Sequence, residues 1–152
     1  MPEKKTIERA REDAREGKSP STQAGEFVRE EIHHVREGKH GVSSPQQAIA
    51  IGLSKARRAG VRLSPPRRGK ASANTAEKAE RDYERGQSHS RQKPSPKRSR
   101  ATSTALKKEG HSGASPSSLA KQARSAAKKR PAKSRHNSAM RAARARQNRE
   151  AA

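Results

Sequence analysis

Apolar residues are sparse along this chain, and where they recur they do so at helical intervals. The clearest pattern is SPQQAIAIGLSKARRAG, residues 44–60. Steps of 100° per residue place Ala48, Ile49, Gly52, Leu53, Ala56 and Ala59 within an arc of about 140°, with Lys55, Arg57 and Arg58 outside it. Ser44 suits the N-cap, Pro45 the first helical position, Gln47 a capping box and Gly60 a left-handed end. A second helix is predicted over STQAGEFVREEIHHVREGK, opened by Ser19 and Pro20 and closed by Gly38. Its stripe is Ala24, Phe27, Val28, Ile32 and Val35, interrupted by Glu31. The link GKHGVS is short enough to fold the two helices into an antiparallel hairpin, and Gly52 permits close approach. The expected core and partner-contacting face is therefore Phe27, Val28, Ile32, Val35, Ile49, Leu53 and Ala56. Two helices are too few for an independent domain, so help is expected from the first helix, from self-association or from binding.

The rest of the chain is weaker in pattern. Residues 3–16, EKKTIERAREDARE, favour a helix ended by Gly17, but Ile7 is almost its only apolar anchor, which predicts a solvated helix. Val61 and Leu63 are placed to pack back before Pro65 and Pro66 stop regular structure. Asn74 is the candidate cap of a polar helix, TAEKAERDYER, with Glu77 at the box position, Gly86 as its stop and a thin stripe of Ala76, Ala79 and Tyr83. From Gln87, QSHSRQKPSPKRSR reads as a low-complexity linker. VREGKHGVSSP, beginning at Val35, has a loose echo 71 residues later in LKKEGHSGASP, beginning at Leu106; a duplication and a chance likeness of two capped helices both account for it. The predicted class is mainly α: a short helical hairpin head with a largely disordered or nascent-helical basic C-terminal tail. Its divisions are 1–18, the solvated helix; 19–63, the hairpin head; 64–86, a Pro-rich linker and short polar helix; and 87–152, the low-complexity basic tail.

Composition sharpens this division. Of 152 residues, 27% are hydrophobic and 1% aromatic, which leaves no material for a large core. The net charge is +22, and residues 87–152 supply 18 Lys and Arg against two Glu. Such asymmetry points to a modest head carrying an arm for nucleic acid or, less often, an anionic membrane. With no cysteine, disulfide frameworks, thiolate metal sites and cysteine nucleophiles are excluded. No apolar run reaches the roughly 20 residues of a membrane span, and the charged start carries no apolar signal segment, so a cytoplasmic protein is expected.

The candidate nucleic-acid-binding residues are Arg57 and Arg58 on the 44–60 helix, and Lys97, Arg98, Arg100, Lys128, Lys129, Arg130, Lys133, Arg135, Arg141, Arg144 and Arg146 in the tail. Cations at these intervals can neutralise several phosphates and release their counterions, without an evident base code. The near absence of aromatic platforms for single strands favours duplex DNA over RNA. Gln46 and Gln47 at a helix start have the chemistry to read adenine, but first-turn and capping roles explain them more simply. Glu30 with His33, and Glu31 with His34, have the Glu-x-x-His spacing of di-iron bundles; those need two further glutamates on four helices, and exposed histidines on a charged helix face are the preferred reading. No nucleophile with base and orienter and no glycine-rich phosphate cradle is recognisable, so no enzyme activity, metal or cofactor is expected.

The segment QQAIAIGLSKARRAGV, with the VREGKHG turn before it, resembles a family of small, basic bacterial proteins of uncharacterised function, over about residues 26–63. The Ala, Lys, Arg and Ser tail is similar in composition to bacterial histone-like and linker-histone tails, and Ser95 in SPKR is similar to linker-histone turn motifs. These resemblances imply a nucleoid-associated protein that binds DNA without sequence specificity. RNA or ribosome binding, and a disordered stress-related interaction protein, are the alternatives.

Overall fold

The computed structural model describes residues 2–67, 69–88 and 95–150. The described residues are helical with no strand: α1 (Lys4–Arg15), α2 (Pro20–Arg36), α3 (Pro45–Arg58), α4 (Ala73–Gln87), α5 (Pro96–Lys107), a 3-10 turn (Ser112–Ala114), α6 (Pro116–Lys128) and α7 (Ala132–Glu150). They divide into two compact units, Met1–Ser115 and Pro116–Ala152. The first unit thus runs on past residue 86, where the sequence places its last division.

Local signals set the helix ends. Ser19 accepts a hydrogen bond from the Thr22 amide and Ser44 one from the Gln47 amide, each followed by proline at the first helical position. Gly17, Gly38 and Gly60 have φ of 70°, 75° and 95°, which only glycine adopts without strain. Each closes its helix with the paired backbone bonds of a Schellman motif; at the end of α3, Gly60 N donates to Arg57 O at 3.0 Å and Val61 N to Ala56 O at 3.1 Å. Val61 then packs against Ala56, so the chain turns back onto its own helix.

The hairpin of α2 and α3 closes over Gly52, where a Cβ would lie 2.6 Å from the Val28 Cα. Two apolar clusters flank this crossing. One gathers Ala10, Ala24, Phe27, Ala56 and Val61, with Ile7, Leu53 and Leu63 against it. The other gathers Val35, Val42, Ala48 and Ala114, with Ile32 and Ile51. Val28 and Ile49 are only half-buried and join neither cluster; Ile51 takes the place expected for Ile49. The support that two helices lack comes from within the chain. Most of α1 is exposed, but it buries Thr6 and Ala10 on the side toward α2, because at close helix approach a methyl group fills the gap.

α4 packs on α3 through buried Ala79 and Gly86. Its cap is Ser72, which accepts from the Thr75 amide, rather than Asn74. Gly86 does not stop the helix but lies inside it, where any side chain would strike the Arg57 carbonyl. Residues 89–94 of the expected linker lie outside the described residues. Beyond them α5 buries nothing, and residues 106–114 return to the head. Gly41 N donates to Leu106 O at 2.9 Å, Val42 N to Gly110 O at 2.8 Å and Arg36 Nε to Ala114 O at 2.9 Å. The two echoing segments are therefore docked on each other, and Ala114 completes the second cluster.

Candidate nucleic-acid interface and a buried charged cluster

Unit Pro116–Ala152 carries 11 Lys and Arg against one Glu, a net charge of +10. α6 buries no residue, and Lys121, Arg124, Ser125, Lys128 and Lys129 line a shallow depression along one side. Helical steps set Lys133, Arg141 and Arg144 on one flank of α7 and Arg135 and Arg146 on the other, with no apolar stripe between them. Lys128, Lys129, Arg130, Lys133, Arg135, Arg141, Arg144 and Arg146 are all exposed, as are Lys97, Arg98 and Arg100 on α5. Among the described residues none of these cations has a carboxylate within ion-pair reach; Arg130 donates to the Ser134 and Ser138 hydroxyls. Ser95 occupies the N-cap position of α5 without a side-chain cap bond, so SPKR opens a helix instead of forming a turn.

The two arginines expected on α3 have different fates. Arg57 is buried, with Nε donating to Leu63 O at 3.1 Å and Nη2 to Ser64 O at 3.4 Å. Desolvation lowers its pKa from the ordinary arginine value, with Asp82 pulling the other way. It straps down the segment after α3 and has no face for a phosphate. Arg58 is exposed but stands 3.6 Å from Asp82. Gln47 is equally committed: it accepts from the Ser43 amide at 2.8 Å and donates to Glu109 at 3.1 Å, so its side chain serves the helix start and the docked segment.

A charged cluster lies inside the head. On α2, Glu30, Glu31 and His34 are buried, with Glu31 fully inaccessible. Lys55 of α3 reaches between the carboxylates, 2.6 Å from Glu31 Oε2 and 3.6 Å from Glu30 Oε1. His40, in the α2–α3 turn, sets Nε2 3.1 Å from Glu31 Oε1. Glu3, just before α1, accepts from His34 Nε2 at 2.9 Å and from Lys39 at 3.4 Å, while its own amide donates to Glu30 Oε2 at 3.2 Å. The bonds to His34 and then Lys39 hold the Glu3 carboxyl below the usual glutamate value. Its side chain is thus diverted from capping α1 to pinning that helix to α2. One ring nitrogen each of His34 and His40 and one carboxylate oxygen of Glu31 lie within 4.8 Å of one another. The expectation of exposed histidines on the helix face holds for His33 and fails for His34, which is covered where Glu3 and the turn carrying His40 meet α2.

With this geometry in place, a comparison with protein families locates the head. Residues 4–68 match the model of the Family of unknown function (DUF6496). The DUF6496 match takes in α1 as well as the hairpin, a wider span than residues 26–63. It contains Glu30, Glu31, His34, His40 and Lys55 and ends before α4 and the basic tail. No curated protein and no solved structure matches the chain. Among the described residues no helix is long and apolar enough to cross a membrane.

Proposed function

We propose that this is a non-catalytic nucleic-acid-binding protein, in which residues 116–152 cover the phosphates of duplex DNA without reading its sequence, and that it works on the bacterial nucleoid. The observation that carries this reading is the unit of +10 whose exposed cations have no carboxylate partner among the described residues. Unpaired cations hold condensed phosphate counterions' place at little cost, and the counterions released supply the free energy of binding. The scarcity of aromatic side chains favours a duplex over single strands.

A gel-shift titration of duplex DNA and structured RNA across roughly 50–200 mM salt tests this. Duplex DNA should bind more tightly, and contact with six or more phosphates should give a log–log salt slope steeper than about −5. A chain ending at Ser115 should lose most of that slope. Stronger binding to RNA moves the protein to the RNA class; binding to neither at low salt, or full affinity after truncation, overturns the proposal.

A further inference from the structure

The geometry points to a divalent transition-metal site in the head, of the zinc class, held by Glu31, His34 and His40. Each histidine has one nitrogen anchored outward. His40 Nδ1 lies 3.1 Å from Gly41 O, and because a carbonyl oxygen only accepts, that nitrogen carries the proton. His34 Nε2 is likewise committed to the Glu3 carboxylate at 2.9 Å. The other nitrogens are turned inward: His40 Nε2 onto Glu31 Oε1 at 3.1 Å and His34 Nδ1 toward Glu30 Oε1 at 3.9 Å. At such a separation a ring nitrogen and a carboxylate oxygen need a proton or a metal ion between them. A histidine whose one nitrogen is held by a carboxylate or carbonyl, leaving the second for a cation, is the arrangement that orients metal ligands, and one nitrogen of each ring lies within 4.8 Å of the other and of a Glu31 oxygen.

The carboxylates supply the second indication. Glu30 Oε1 and both oxygens of Glu31 are buried and make no hydrogen bond of acceptable geometry. Glu30 and Glu31 face Lys55, and Glu3 and Glu37 share Lys39 at 3.4 and 3.0 Å, so four carboxylates against two ammonium groups leave a charge of −2 when the histidines are neutral. A divalent cation balances that charge. Lys55 remains on Glu31 Oε2, leaving Oε1 for the metal beside the two imidazoles, and the fourth position of a tetrahedral ion is left to water. Two imidazoles with carboxylates suit zinc better than the oxygen-seeking magnesium or calcium. Zinc ligands lie about 2.0–2.1 Å from the ion, so the three donors must draw together by side-chain rotation on binding.

The test uses the full chain, stripped with chelator and dialysed against Zn2+. We expect one retained zinc per chain, a higher melting temperature with zinc than without, and, with Co2+ as probe, the intense visible bands of a four-coordinate ion. His40→Ala, a change in the turn, should weaken zinc binding at least about tenfold, and Glu31→Gln, which keeps the shape of the buried side chain, should do the same. His111→Ala with His136→Ala should leave binding unchanged. Absence of a retained equivalent, a melting temperature indifferent to zinc, a six-coordinate cobalt spectrum, or undiminished binding by both site variants each overturns the site. Either result is independent of the nucleic-acid assay.

Discussion

Replacing Arg57 with alanine removes a buried guanidinium and leaves the carbonyls of Leu63 and Ser64 without their donor. Hydrogen bonds from a charged group are worth about 1.5–3 kcal/mol, so urea unfolding followed by circular dichroism should register a loss of that order. Affinity for duplex DNA, measured on the folded variant, should stay within about twofold, since the side chain offers phosphates nothing. The position illustrates which residue roles are legible in sequence. Ser19, Ser44 and the helix-ending Gly17, Gly38 and Gly60 declare themselves, because their chemistry acts on backbone a few positions away. Arg57 does not, because its partners are carbonyls placed by the path of the chain after α3. His34 and His40 are similar: helical spacing cannot show that a turn brings the two rings into an edge-to-face contact at 6.4 Å.

At the scale of elements, the docking of residues 106–114 against the α2–α3 turn depends on glycines that admit backbone to backbone. A side chain at Gly41 would strike the Glu109 carbonyl, and one at Gly113 would sit 2.9 Å from the Val42 carbonyl. Gly41→Ala should therefore release the segment while α2 and α3 stay paired through Gly52. Amide hydrogen exchange reads this directly: Val42, whose N–H donates to Gly110 O, should lose protection, and amides in the middle of α2 should keep theirs. The hairpin itself was legible from two apolar stripes and a short link. The added elements were not, because Ala10, Ala79 and Ala114 carry too little apolar surface to mark a face, yet suffice where backbones come close.

For the whole molecule, the division at Ser115 separates two kinds of energetics. Both apolar clusters lie between Ala10 and Ala114, so the chain ending at Ser115 should melt cooperatively, at a temperature within a few degrees of the full chain, by circular dichroism. The arm beyond it draws on charge alone, and its affinity should fall with salt while the head's melting barely moves. Composition showed the basic charge toward the C-terminus but placed its start at residue 87, whereas the second unit begins at Pro116; the extent of the head was hidden by the long stretch separating its parts. Arg36 and the Ala114 carbonyl that it holds are 78 positions apart. On a ribosome adding roughly 5–20 residues per second, the turn that carries Val42 waits several seconds, bare, for the segment that covers it. The next residues to be made are those of the arm, so the head is closed just before its basic extension emerges.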